Sequence, residues 1–86
     1  MSRRADLWDT FAHAVRCHIN DYTVPQYGDA PGDLLESMSV DECVHQIRKY
    51  AQRHGRNSRD GQDERDMLKL AHYAAEAWRK MRDDAS

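Results

Sequence analysis

The chain has 86 residues, enough for one small domain with a thin hydrophobic core. Hydrophobic residues make up 40% of it and charged residues 33%, and no run approaches the roughly 20 apolar residues that a membrane span needs. Its two cysteines are far apart, which excludes a disulfide-rich secreted scaffold. The first residues lack the apolar core of a signal peptide, so we expect a single cytoplasmic domain over 1–86, frayed at 1–5 and 83–86.

The net charge of −2 is an average over three segments of different charge. Residues 1–38 have a net charge of −3, residues 39–59 have +3, and residues 60–86 have −2. A chain with this distribution is not a general binder of polyanions, so nucleic acid is a less favoured partner. Attraction to phosphate is predicted to be local to the basic segment.

Apolar side chains at steps of three and four predict a first helix from about Asp6 to Tyr22. Because the residue before a proline disfavours helical backbone, this helix is expected to end before Pro25. Cys17 falls on the opposite face, where we predict an exposed and unpaired thiol. The predicted apolar face consists of Leu7, Trp8, Phe11, Val15, Ile19 and Tyr22.

Residues 23–38 contain both prolines and two of the four glycines. This composition predicts a long loop between the first two helices, with a short helical turn at 33–37. Tyr27 has two interpretations within it. Its ring either stacks on a base of a bound ligand or folds back to cover the thin core.

Ser39 and Glu42 form a predicted capping box for a second helix, which ends near Gly55. The third predicted helix runs from about Gln62 to Arg82. Its first turns are acidic and its last turns basic, as the helix dipole favours. The sequence therefore predicts an all-α, small three-helix domain.

The third predicted helix has an unusually wide apolar stripe, which indicates contact with more than one neighbour or with a second copy of the protein. Cys43, at the edge of the apolar face of the second helix, is expected to be a small buried residue. The predicted stripe consists of Met67, Leu68, Leu70, Ala71, Ala74, Ala75, Ala77, Trp78 and Met81.

The basic segment provides the first candidate binding site. Lys49, Arg53 and Arg56 share one face of the second predicted helix, and Tyr50 is next to Lys49 in the sequence. Side chains of this kind hold phosphate groups in many proteins. A solvated helix face also carries such charges, so both interpretations stay open.

A second candidate consists of Asp66, Lys69 and Tyr73, which share one flank of the third predicted helix. They form either an ordinary Asp–Lys pair beside a half-buried tyrosine or a polar row that faces the basic helix across a small cleft. Zinc-ligand spacings and phosphate-binding loops do not occur in the sequence. We therefore expect no metal and no cofactor, and a binding protein rather than an enzyme.

Residues 49–56 read Lys-Tyr-Ala-Gln-Arg-His-Gly-Arg, and residues 66–73 read Asp-Met-Leu-Lys-Leu-Ala-His-Tyr. This pattern, within about residues 43–78, resembles the SaV-like family of small phage and prophage proteins, which is related to a T7-type phage nucleotide kinase. The resemblance implies a setting in phage biology or nucleotide metabolism. Within the pattern it points to Lys49, Tyr50, Arg53 and Lys69.

Together these patterns predict a small helical module that binds a nucleotide or another phosphate-bearing ligand. The alternative is a structural or protein-interaction domain that forms a homodimer. The predicted ligand-binding residues are Lys49, Tyr50, Arg53, Arg56, Lys69, Tyr73 and Tyr27.

Overall fold

A computed structural model describes residues 2–30 and 32–85. Over these residues every regular element is helical, which confirms the predicted all-α class. None of their helices combines the length and the apolar character that crossing a bilayer requires. The elements are α1 (Arg3–His18), a π-helical turn (Ile19–Thr23), α2 (Val24–Tyr27), α3 (Leu34–Ser37), α4 (Val40–Gln52) and α5 (Gln62–Ala85).

The first helical segment continues past the point where the sequence predicts its end. Val24 keeps helical backbone angles, φ −63° and ψ −46°, although Pro25 follows it. Its N–H bonds to the carbonyl of Ile19, five residues back, within the π-helical turn. Because this wider turn relieves the contact between a proline ring and the preceding turn, the chain stays helical to Tyr27. Gly28, with a φ of 89°, then ends the segment.

The predicted loop at 23–38 is therefore shorter than expected and contains a helix of its own. The predicted turn at 33–37 is α3, and the Asp33 carboxylate caps it by accepting the N–H of Glu36 at 2.9 Å. The prediction had three helices and one long loop. The structure has three long helical segments, at 3–27, 40–52 and 62–85, and the short helix α3. Pro31 lies outside the described residues.

Both ends of the described chain are helical where the sequence predicts fraying. α1 begins after Ser2, whose hydroxyl accepts the N–H of Ala5 at 3.2 Å. α5 extends to Ala85. Met1 and Ser86, the outermost residues of that prediction, lie outside the described residues.

The core lies between α4 and α5. The rings of Tyr50 and Tyr73 stack there with their centroids 6.1 Å apart. Cys43 is fully buried, as predicted, whereas Cys17 is exposed and not part of a disulfide, with its Sγ 3.6 Å from Nε2 of His13. The remaining core side chains are Ala77, Leu35, Met38, Val40, Ile47 and Leu70.

The wide stripe of α5 is buried along only one edge, so part of the predicted core is wrong. Leu70 and Ala77 pack against α4, but Met67, Trp78 and Met81 remain 39%, 59% and 52% exposed. The large rings of Tyr50 and Tyr73 fill the α4–α5 contact and turn the rest of the stripe away from it. On the first helical segment, Leu7, Trp8 and Tyr22 are likewise exposed.

The predicted capping box of α4 is present. The N–H of Glu42 donates to Oγ of Ser39 at 3.0 Å, and the N–H of Ser39 donates to Oε1 of Glu42 at 3.2 Å. We expect Ser39→Ala to lower the free energy of unfolding by about 1 kcal/mol, because a terminal N–H loses its partner. Urea denaturation followed by circular dichroism measures this loss. Ser58→Ala, in an exposed turn, is the control, and an equal loss in both variants would contradict the prediction.

Candidate functional site

A cavity of about 480 Å³ lies beside α5. One wall is α5 itself, and the opposite wall is the end of the first helical segment, including the π-helical turn and α2. Leu35 of α3, Tyr50 of α4 and Arg59 of the turn before α5 complete it. The cavity therefore lies where several separate parts of the chain meet.

Three cationic side chains line this cavity: Arg59, Arg65 and Lys69. Within 2–30 and 32–85, no aspartate or glutamate joins the lining. Nη2 of Arg65 donates to two neutral oxygens, the carbonyl of Asp60 at 3.4 Å and Oε1 of Gln62 at 3.3 Å. The charged groups that line the described cavity wall are therefore positive, and the nearest carboxylates, such as Asp66, lie outside the lining.

Lys69 lies in a partly desolvated position. Burial is the main cause that lowers its pKa, and the positive charges of Arg53 and Arg65 act in the same direction. Asp66 acts in the opposite direction. A cation in such surroundings gains more from an anionic ligand than an exposed lysine does, because water screens the interaction less.

Four tyrosines give the cavity an aromatic surface. Tyr22 and Tyr27 lie on the wall formed by the first helical segment, and Tyr50 and Tyr73 come from the core. Burial raises the pKa of Tyr73 to about 12 and raises that of Tyr50, so both phenols stay neutral. Each can then donate one hydrogen bond and accept others.

Three cationic side chains lie close to the Tyr50 ring, two from α4 and its C-cap and one from α5. Nζ of Lys49 is 5.2 Å from its centroid, Cζ of Arg53 is 4.8 Å away, and Nζ of Lys69 is 5.3 Å away. All three distances lie in the range of cation–π attraction. The Tyr50 ring therefore favours a position of these three positive charges close to one another.

Two histidines contribute to the cavity wall. His18 is buried and stacks on Tyr22, with centroids 5.3 Å apart. Burial lowers its pKa first, and the charges of Lys69, His72 and Arg65 lower it further. Burial also lowers the pKa of His72, although Glu76, 3.6 Å away, opposes the shift. A lowered pKa favours the neutral form of both side chains at neutral pH.

Arg53 does not line the cavity, because its side chain pairs with a buried carboxylate. Nε and Nη2 donate to Oδ2 and Oδ1 of Asp66 at 2.6 and 2.5 Å. Gln62 and Asn57 donate to the same carboxylate at 2.8 and 3.1 Å. The Arg53 guanidinium holds the pKa of Asp66 far below its usual range. We call these four residues, Arg53, Asn57, Gln62 and Asp66, the clasp, since they join the end of α4 to the start of α5.

The clasp involves residues of two predicted candidate sites. Arg53, predicted as a phosphate contact, already uses two of its donors on Asp66. The predicted helix pair between Asp66 and Lys69 is replaced by the Arg53–Asp66 ion pair. The predicted polar row nevertheless faces α4, since Asp66 and Tyr73 both contact residues of that helix or its end.

The structure divides the predicted ligand-binding residues between two surfaces. Tyr27, Tyr50, Lys69 and Tyr73 line the cavity. Lys49, Arg53 and Arg56 line a depression of about 520 Å³ on the exposed side of α4 instead. The predicted basic face of α4 is present, but it lies outside the cavity that Tyr22 and Tyr27 line.

Sequence reasoning missed Arg65, His18 and His72 as candidates. Arg65, Lys69 and His72 follow steps of four and three, so they share one face of α5. That pattern was available in the sequence, but it resembles an ordinary solvated face. His18 follows Val15 by three residues and precedes Tyr22 by four, so helical period already placed it on the face that packs toward α5.

The hydrogen bonds of the Asp63 carboxylate stabilise the turn before α5. Its Oδ1 accepts the N–H of Gly55 at 3.3 Å and Nδ2 of Asn57 at 2.6 Å. Over the described part of the chain, no three His, Cys, Asp or Glu side chains are grouped as a metal site requires.

Comparisons with protein-family models, with curated proteins and with solved structures found no match. The function is therefore inferred from the geometry and charge of the cavity.

Proposed function

We propose that the protein binds a small phosphorylated molecule that carries an aromatic ring, of which nucleotides are the typical class. The observation that carries this proposal is the convergence of Arg59, Arg65 and Lys69 in a tyrosine-lined cavity. Its volume of about 480 Å³ lies in the range of small-molecule sites.

The phosphate end of such a ligand fits the α5 side of the cavity. Arg65 offers planar guanidinium donors that match phosphate oxygens, and Lys69 offers a compact, partly desolvated charge. Arg59, exposed on the turn before α5, adds a third positive charge at the edge. Charge-assisted hydrogen bonds of this kind are the strong ones in proteins.

The ring end fits the opposite wall. Tyr22 and Tyr27 are 59% and 37% exposed, so their rings are available for stacking against a base. The Gln26 amide and the Thr23 hydroxyl line the same wall and supply donors and acceptors for a base edge. The resemblance in the second half of the chain points to the same ligand class, through Tyr50 and Lys69.

The depression on α4 is the weaker candidate for this ligand. Its lining consists of cations and polar side chains without a tyrosine, tryptophan or phenylalanine ring, and Lys49 and Arg56 in it are exposed to solvent. Exposed cations of this kind are screened by salt and give no fixed position to a base. The cavity, not the depression, is therefore proposed as the site.

Isothermal titration with nucleoside mono-, di- and triphosphates tests the proposal. We expect Lys69→Met and Arg65→Met each to weaken binding by about tenfold or more, since each removes a charge-assisted hydrogen bond. Thermal melts check that the variants remain folded.

Lys49→Met and Arg56→Met are the matched controls, because they remove the same charges from the α4 depression. These variants are expected to bind within about twofold of the unaltered protein, a difference well under about 0.5 kcal/mol. Absence of nucleotide binding, or a loss in the controls equal to that in the cavity variants, would refute the proposed site.

A further inference from the structure

The apolar stripe of α5 is covered only in part within the described chain: Cζ of Arg82 lies 4.7 Å from the centroid of the Trp78 ring, and Trp78 stays 59% exposed. Met67, Ala74, Trp78 and Met81 are all exposed and follow one line along the helix. From Met67 to Met81 this line is about 21 Å long, at 1.5 Å per residue. Apolar lines of this length on a small domain commonly mark interaction surfaces.

A groove of about 400 Å³ lies beside this stripe, between α1 and α5. Ala71 and Ala75 form its α5 side, and Trp8, Ala12, Val15 and Ile19 form most of its α1 side. The small alanine side chains leave room there for a large one. Trp78, one turn from Ala75 and 59% exposed, is a large side chain without a pocket of its own.

We propose that a second copy of this chain covers the stripe, with the two α5 helices antiparallel around a twofold axis at Ala74. In this register Met67 packs on Met81 of the partner subunit. Trp78 is level with the partner's Leu70, next to the partner's Ala71, and enters the groove that this alanine lines. A twofold axis repeats each contact, so every exposed large side chain of the stripe is covered.

Charge along α5 favours the antiparallel arrangement. The first turn of the helix contains Asp63 and Glu64, and residues 79–85 carry three cations against two aspartates, a net charge of +1. Antiparallel packing places the acidic end of one helix beside the basic end of the other, and it opposes their dipoles. Parallel packing would instead align like charges.

The size of the contact is compatible with a stable dimer. Trp8 and Trp78 are about 60% exposed, and aromatic side chains bury roughly 150–250 Å² each in cores and interfaces. Two tryptophans, two methionines and the groove walls from each copy approach the roughly 800 Å² per partner of a standard interface. Tryptophans at the centre of such contacts carry much of the binding energy.

This interface does not involve the proposed ligand site. Arg65, Lys69 and His72 lie on the opposite side of α5 from Met67 and Trp78, by the helical period. The two proposals therefore fail independently, since a monomer can still bind a nucleotide and a dimer can lack that activity.

Sedimentation equilibrium at micromolar concentrations tests the dimer. We expect a dimer for the unaltered protein and at least a tenfold weaker association for Trp78→Glu, because a carboxylate replaces the central indole. Circular dichroism establishes that the variant is folded. Leu34→Glu is the control, because Leu34 is 55% exposed but lies on α3, away from the stripe. A monomeric unaltered protein at several hundred micromolar, or a dimer that Trp78→Glu leaves intact, would overturn the proposal.

Cysteine cross-linking tests the register. In a Cys17→Ser background, Met67→Cys and Met81→Cys are oxidised separately and as a mixture. The antiparallel register predicts a disulfide between the two variants in the mixture and none in either variant alone, because like positions are about 21 Å apart. Cross-linking of each variant with itself, without the mixed product, would show parallel packing and overturn the antiparallel arrangement.

Discussion

The Asp66→Asn variant is expected to lose about 3 kcal/mol of its free energy of unfolding. Asp66 is 1% exposed, and the clasp gives its carboxylate four hydrogen bonds. In this variant the NH2 group of the asparagine amide faces N–H donors of the clasp. The Arg53 guanidinium also loses its counter-charge. The loss is set at the lower end of the range for buried ion pairs, because the Arg53 side chain is 34% exposed.

Urea denaturation followed by circular dichroism measures this loss. Glu64→Gln is the matched control, since it makes the same chemical change on an exposed side chain in the first turn of α5. We expect the control to change stability by less than about 0.5 kcal/mol. Similar losses in both variants would show that the clasp contributes no more than a surface charge.

The contribution of Asp66 to stability should also depend on pH. Its folded-state pKa is lowered, chiefly by the hydrogen bonds from Arg53, so the unfolded chain takes up the proton first. The stabilisation is therefore complete above the unfolded pKa of about 3.9 and is lost as pH falls below it toward the folded value. The stability difference between the unaltered protein and Asp66→Asn should narrow below about pH 4.

Anion binding in the cavity is expected to strengthen as pH falls. His18 and His72 have lowered pKa values in the empty cavity, through burial first and, for His18, through neighbouring cations. A bound anion stabilises their charged forms and raises these pKa values, so binding takes up protons. Affinity should rise as pH falls below about 6.5, by up to about tenfold per pH unit for each histidine involved, and change little above pH 7.

Sulfate is a suitable probe, because its own charge does not change between pH 5 and 8. The change in affinity is measured by calorimetric titration at each pH. His72→Gln should flatten the pH dependence, whereas His45→Gln, on the exposed side of α4, should leave it unchanged. Affinity that is constant over this range, or that falls with decreasing pH, would contradict the coupling.

Local interactions explain the correct sequence predictions. The capping box of Ser39 and Glu42 needs only residues three apart, and it is present in the structure. α5 begins at Gln62, as its acidic first turn and preceding Gly61 indicate. Cys43 is buried and Cys17 exposed, because helical period alone assigns each to a face.

The site could be predicted only in part, because its residues converge from distant segments. The sequence singled out Tyr27, Tyr50, Lys69 and Tyr73, all of which line the cavity. It did not reveal that His18 and Lys69 line the same cavity, because that arrangement depends on how the first helical segment packs against α5. A proline usually predicts the end of a helix, and here the wider turn accommodates it.

By itself the sequence determined the all-α class, the capping box of α4 and the residues that share each helical face. Only the tertiary structure decided which of those faces is buried. The Tyr50–Tyr73 stack fills the contact between α4 and α5, so Met67 and Trp78 are left outside. Arg53 pairs with Asp66 because a buried carboxylate requires a counter-charge, and its side chain lies outside the cavity lining. The period of the sequence shows which residues share a face of one helix. Which face is buried depends on side-chain volume and on the cost of burying charge.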